Sequence, residues 1–204
     1  MEKGEYLDAI LRSKKTVFSV KDVALLWGEA GTGATRVRLN YYVMAGKLIR
    51  VRRGVYVKDM KYDRFELATA ILKPSYVSFE TVLGLAGVTF QYYGQIFVAS
   101  YAQREITCDG QEYAFQTIKY STLVNPKGVD QSREYSVASK ERAFLDTVYR
   151  SKDYFFDNLS PLDWDAVFDI LPIYDNESMT KKVQNYYKSN QTTEKKDDAP
   201  RTNT

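Results

Sequence analysis

Histidine is absent from all 204 residues of this chain. No His–Cys zinc site, Ser-His-Asp triad or Cys-His pair can be assembled from it alone. Any catalysis would rest on carboxylates, Lys, Tyr, Ser or a thiol, and the sole thiol is Cys108. A single cysteine closes no internal disulfide, which suits a reducing cytoplasm. No apolar run reaches the ~18 residues of a membrane span. The opening MEKGEYLDAILRSKK also lacks the unbroken apolar stretch of a signal peptide. A soluble, cytoplasmic protein is expected, and no cofactor or metal site is read from the residues.

What is present divides unevenly. The 44% apolar content suffices for packed cores, in one large domain or two small ones with a tail. Residues 1–58 carry twelve Lys+Arg against five Asp+Glu, a net +7. Residues 59–188 carry fourteen against eighteen, a net −4, and the remainder balances. A basic head on an acidic body suits a polyanion-binding module.

The stretch TGATRVRLNYYVMAGKLIRVRRGVYVK, ending at Lys58, reads as an amphipathic helix, a Gly-Lys turn and a two-stranded hairpin tipped by Arg52-Arg53-Gly54. The expected form is a winged helix-turn-helix, with one helix in a major groove and hairpin cations on phosphates. Upstream, Tyr6 to Arg12 has helical spacing, and Ser19 can cap a second helix with Asp22 in its first turn. Val20, Val23, Ala24 and Trp27 form the buried face of that helix. Gly28 ends it, and the Gly31-Thr32-Gly33 turn leads to a third helix opened by Thr32 or Gly33.

At about 100° per residue, Thr35, Leu39, Tyr42 and Val43 fall on the core side of the third helix. Ala34, Val37 and Tyr41 face outward, flanked by Arg38 and Asn40, with Arg36 nearer the core edge. Asn can bond adenine bidentately, Arg can bond guanine, and Val37 can meet a thymine methyl. The candidate recognition set is Thr32, Thr35, Arg36, Val37, Arg38, Asn40 and Tyr41. Arg50, Arg52 and Arg53 form the candidate wing, and Lys14, Lys15 and Lys21 would add phosphate contacts.

Beyond Asp59 the pattern is α+β, with helices flanking a small antiparallel sheet. Helices are predicted over Phe65–Leu72 and Phe79–Ala86, from Ser139 through Val148, near Leu162–Leu171 and over Ser178–Lys188. Strands are predicted over Ile96–Tyr101, on both sides of the Asp109-Gly110 hairpin signal, and at Tyr135–Val137. From Ser189 the chain holds no apolar residue larger than Ala199, and disorder is expected there. The reading gives a head over 1–60, a body over 61–188 and a tail over 189–204.

Four features carry less than their spelling suggests. Gly28–Thr35, GEAGTGAT, has phosphate-loop spacing, but Ala34 stands where the lysine is required and the preceding segment reads as helix. Glu105, Asp109, Glu112 and Lys119 could serve a metal nuclease, yet turn chemistry explains Asp109 and strand alternation explains the others. Asp146, near Glu141 and Arg142, reads as a helix-surface or domain-interface ion pair. Cys108 has no visible activator.

GKLIRVRRGVYV at Gly46–Val57, PSYVSFETVLGLAGV at Pro74–Val88 and SVASKERAFLDTVY at Ser136–Tyr149 together resemble the AbiEi-type antitoxins, the regulator half of the bacterial AbiE abortive-infection systems. Lys140 departs from the family, where many relatives carry proline. The resemblance implies a winged-helix head that represses its own operon at promoter inverted repeats. It also implies a C-terminal domain that counters a neighbouring nucleotidyltransferase-like toxin. Such systems are type IV, in which neutralisation does not depend on a stable toxin–antitoxin complex. The alternatives are a stand-alone winged-helix regulator whose body senses a ligand or partner, and a nucleic-acid-processing enzyme aimed by its head.

Overall fold

The computed structural model describes residues 5–197, with side chains described as far as Gln191. The head contains α1 (Glu5–Arg12), β1 (Val17–Ser19), α2 (Val20–Leu26), α3 (Gly33–Met44), β2 (Ile49–Arg52) and β3 (Val55–Val57). Its strands form an antiparallel sheet in the order β1-β3-β2. Local chemistry sets these bounds. The Ser19 hydroxyl accepts from the Asp22 amide at 3.2 Å while the Asp22 carboxylate accepts from the Ser19 amide at 2.9 Å, a reciprocal cap that opens α2. Gly54, at φ +80°, takes the left-handed turn conformation that other residues resist, and so closes the β2–β3 hairpin.

Each face of this sheet belongs to a different core. Phe18 and Tyr56 pack with Ile10, Val23, Trp27 and Leu39 under the head helices. Val17, Val55 and Val57 point the other way, into the core of the body. The first body helix, α4 (Arg64–Ile71), completes that junction. Its buried Glu66 carboxylate accepts from the Thr16 and Val17 amides, both at 2.8 Å. Amides at the start of β1 are thereby paired by a side chain rather than by another strand.

The body carries β4 (Ser75–Val77), α5 (Phe79–Leu85), β5 (Ile96–Ser100), β6 (Arg104–Cys108), β7 (Gln111–Thr117), α6 (Tyr120–Leu123), β8 (Val129–Asp130) and β9 (Val137–Ala138). It continues through α7 (Lys140–Arg150), α8 (Trp164–Ile170), a 3-10 turn over Leu171–Tyr174 and α9 (Glu177–Asp197). The mixed α+β class holds, but the sheet corrects the expectation of a small antiparallel one. Six strands run in the order β6-β7-β5-β4-β9-β8, with β5–β7 and β4–β9 parallel. The Asp109-Gly110 turn does make β6–β7 an antiparallel hairpin. Hairpin chemistry fixes only one edge of β7, however, and its other edge lies along β5. Every residue of β5 is buried, as a strand covered on both faces requires.

Helix α7 is buried from Glu141 through Val148. Asp146 is therefore no surface or interface group. It ties α7 to the sheet, accepting from the hydroxyls of Ser78 at 2.8 Å and Tyr174 at 2.6 Å, and from that of Tyr76 at 3.0 Å. The Arg142 Nε donates to it at 3.3 Å. The Arg142 guanidinium also donates to the Thr122 and Lys127 carbonyls at 2.7 and 2.8 Å. Ser78 holds the N-cap position of α5, but its hydroxyl donates to Asp146 and makes no capping bond.

The tail needs a further correction. Helix α9 runs without a break from Glu177 to Asp197, past Ser189 where disorder was expected. Met179 and Val183 anchor its start in the body core. Once a helix is nucleated, each added residue gains a hydrogen bond at little cost, so a start anchored in the core carries the helix on. The rest of the predicted tail, residues 198–204, lies outside the described residues.

Candidate nucleic-acid interface

Helix α3 presents a solvent face that no other described residue covers. Val37 is 72% exposed, Tyr41 65% and Met44 88%, with Ala34, Arg36 and Asn40 exposed around them. The spacing of Val37, Tyr41 and Met44 stacks them along one side of the helix. Met44 is an addition to the candidate set, turned outward by the same helical rotation that places Val37 there. Thr32 occupies the N-cap position of α3 and its side chain makes no capping bond. The first turn of α3 contains no acidic residue, which leaves its amides and positive dipole end open to an anion.

Two members of the predicted set are engaged elsewhere. Thr35 is fully buried, and its hydroxyl donates to the Glu29 carboxylate and to the Gly31 carbonyl at 3.3 Å. Its position on the core side of α3 removes it from any base contact. Arg38 also pairs with Glu29, and its guanidinium lies 3.8 Å from the centre of the Tyr6 ring and 5.3 Å from that of Trp27. Trp27 in turn donates its indole N–H to the Tyr6 carbonyl at 2.8 Å. Arg38 thus fastens α3 to α1 and α2. The Thr35 hydroxyl, and then Arg38, hold Glu29 below the ordinary carboxylate range. Only the acid at 29 and the ring at 6, both distant in sequence, distinguish this arginine from its neighbours.

The hairpin joins α3 directly. Leu48 is buried in the head core, and the Lys47 and Leu48 amides donate to the Tyr42 carbonyl near the end of α3. Arg50 opposes Tyr56, so it lies on the sheet face turned toward the head helices. A bulge between Arg50 and Arg52 brings two residues of β2 against Val55, and both arginines stay exposed, as does Arg53 at the tip. The Gly54 carbonyl accepts from the Val20 amide at 3.2 Å, which fixes the tip against the start of α2. Val51, between the arginines, packs on the body core.

The head's described acids are nearly all occupied. Asp8 pairs with Arg12, Asp22 with Lys15 and Lys73, and Glu29 with Arg38. Burial raises Asp22, but the Ser19 bonds and then Lys73 and Lys15 leave it net below its ordinary value. Arg36, Arg50, Arg52, Arg53, Lys14 and Lys21 are exposed and, among the described residues, form no ion pair. Lys15 belongs to a different place. It is half-buried at the junction with the body, beside Lys73 and Glu134, and is not free to meet a phosphate there.

The other candidates do not assemble into a site. Asp109, at φ +50°, turns the β6–β7 hairpin and accepts from the Tyr62 hydroxyl at 2.8 Å. Glu105 opposes Ala114 and Glu112 opposes Thr107, so the strand register gives neither a carboxylate opposite it. Among the described residues no cluster of three or more His, Cys, Asp or Glu side chains is placed to hold a metal. Burial pushes the Cys108 thiol up, and its Sγ lies 3.4 Å from the Val51 carbonyl. Gly28–Thr35 follows a helix, so it lacks the strand of a phosphate loop. No described helix is long and apolar enough to cross a membrane.

Comparison with known proteins bears on this same unit. Residues 5–57 match the family model of the transcriptional regulator, AbiEi antitoxin. The match begins at the start of α1 and ends with β3, so it spans the head and none of the body. No curated protein matches the chain.

Proposed function

We propose that the head is a winged helix-turn-helix that binds promoter DNA, and that the chain is the antitoxin and autorepressor of an AbiE-type system. One observation carries the reading. The unit matched to the transcriptional regulators is also the unit that, among the described residues, leaves an apolar helix face uncovered beside arginines with no acidic partner. In the proposed complex α3 enters the major groove. Asn40 and Arg36 reach base edges there, Val37 and Tyr41 contact thymine methyls, and Arg50, Arg52 and Arg53 hold phosphates. Thr32 and the first α3 amides add an anion site at the groove edge. The operator is an inverted repeat read by two copies of the chain.

The division of labour follows the two cores, with repression in residues 1–60 and antitoxicity in residues 61–188. The toxin is a nucleotidyltransferase-like protein encoded beside this gene, countered without a stable complex. The chain acts in the cytoplasm and is not an enzyme. A second reading, ligand sensing by the body, is favoured by a cavity of about 350 Å³ at the head–body junction. Lys15, Asp22, Lys73, Tyr76 and Glu134 line it, and its occupancy would bear on the angle of the head.

Mobility shifts on DNA upstream of the gene test the first reading. The Arg52→Ala/Arg53→Ala double variant should bind more weakly. Its plot of log affinity against log salt should be shallower by about 2, at roughly 0.9 for each phosphate no longer neutralised. An unchanged slope removes the hairpin from the interface. The same variant, co-expressed with the neighbouring toxin, should still rescue growth. Loss of rescue would place antitoxicity in the head.

A further inference from the structure

The body contains a second cleft, remote from the head core, with a cavity of about 500 Å³ between α5 and the 89–96 segment. Phe65, Phe90, Tyr92 and Tyr93 supply aromatic walls, and Glu80 is the one ionisable carboxylate among the lining residues. No Lys or Arg lines it, in a chain that carries 29 of them. Glu80 is half-buried and forms no ion pair among the described residues, although it feels Arg150 at longer range. Burial pushes its carboxyl above the ordinary range, and a hydrogen bond from the Tyr154 hydroxyl offsets this only in part.

A further polar group waits in the same wall. Thr89 is only 4% exposed, and its hydroxyl has no hydrogen-bond partner among the described residues. Leaving such a group unpaired in a protein interior costs about 1–3 kcal/mol. An incoming N–H donor would relieve it. The cleft therefore offers a carboxylate, an idle hydroxyl and aromatic faces, and lacks a cation. Guanidinium and ammonium groups satisfy all three at once.

We propose that this cleft docks an arginine or lysine side chain of a protein partner, its charge meeting Glu80 and Thr89 between the aromatic walls. The rim decides for a protein over a free polyamine. Leu85 and Phe90 are largely exposed and Tyr92 is 92% exposed, all bordering the cleft. A polyamine brings no apolar surface to cover such a rim, whereas residues flanking an arginine in a chain do. Asp157, held at 2.8 Å by the Phe90 amide, extends the acidic character beside it. The site is independent of DNA binding by the head.

Calorimetric titration of the full chain tests this with acetyl-Phe-Arg-Leu-amide, the same peptide carrying citrulline for arginine, and spermidine. The arginine peptide should bind saturably. Replacement by citrulline, or Glu80→Gln in the protein, should each weaken it about tenfold or more, the worth of one charge-assisted hydrogen bond. Thermal unfolding and promoter binding of the Glu80→Gln variant should stay as in the parent. Tyr92→Ala, at a solvent-exposed position, should weaken the peptide severalfold and serves if Glu80→Gln folds poorly. No saturable binding, equal binding of the citrulline peptide, or indifference to both substitutions overturns the site. Spermidine binding tighter than the arginine peptide overturns the protein partner.

Discussion

Replacing Asp146 with alanine should be among the most damaging single changes in the body. Arg142 and Asp146 are both fully inaccessible to solvent. The substitution leaves a guanidinium in the core with no counter-charge, and takes the acceptor from the Ser78, Tyr76 and Tyr174 hydroxyls. Removing one partner of a buried pair costs about 3–5 kcal/mol, because the desolvated charge that remains is uncompensated. At about 2–4 °C per kcal/mol for a chain of this size, the melting temperature should fall by roughly 10 °C.

The reverse change, Arg142→Met, strands Asp146 and frees the Thr122 and Lys127 carbonyls, and should cost a similar amount. The double change Arg142→Met/Asp146→Leu removes both charges and leaves only neutral groups unsatisfied, the hydroxyls and the two carbonyls. It should cost no more than either single change, which gives a coupling energy of at least about 2 kcal/mol. Urea unfolding followed by circular dichroism measures all three variants. Single costs below about 1 kcal/mol, or additive costs, would refute the account of this network as a hub of the body.

Three further outcomes follow from the geometry. Gly128→Ala should destabilise the body by about 2 kcal/mol or more: Gly128 sits at φ +73°, and an added Cβ would lie 2.8 Å from Ile170 Cδ1 and 3.0 Å from Arg142 Cβ. Thermal melts read this directly, and a parent-like melt would contradict it. Arg38→Ala should loosen the head by about 1–2 kcal/mol through removal of the Glu29 pair and the ring stacking while leaving the salt slope of DNA binding unchanged; a shallower slope would return Arg38 to the phosphate-contacting set. Acid should open the head before the body. Asp22 and Glu29 are both depressed in the folded chain, so their stabilisation is complete above their unfolded pKa values, near 4, and is lost as pH falls through the lower folded ones. Trp27 fluorescence in a Trp164→Phe background follows this, and a signal flat from pH 5 to complete unfolding would exclude it.

Where local chemistry decides, the sequence was legible. The Ser19/Asp22 cap, the outward turn of Val37 and Tyr41, the hairpin at Gly54 and the turn at Asp109-Gly110 each depend on residues a few positions apart. Pairing between distant segments was not. Strands β1, β4 and β8 are three residues or fewer, too short for an alternating pattern to declare itself. The parallel neighbours of β5 and β4 lie many residues away. At the candidate interface the exposed members of α3 and the hairpin arginines could be read from helical rotation and strand alternation. What hid Arg38 and Thr35 was Glu29, which claims both from outside the helix. Asp146 was misplaced because helix periodicity assumes one wet face, and α7 has none.

The two-sided sheet of the head has a consequence for how such chains diversify. Because Val17, Val55 and Val57 are seated in the body, and Glu66 closes the backbone of β1, the head is not a bead on a string. A head transplanted onto a foreign body would arrive with an oily, unpaired back. Recombination between relatives should therefore succeed only when the crossover carries α4 along with the strands it completes.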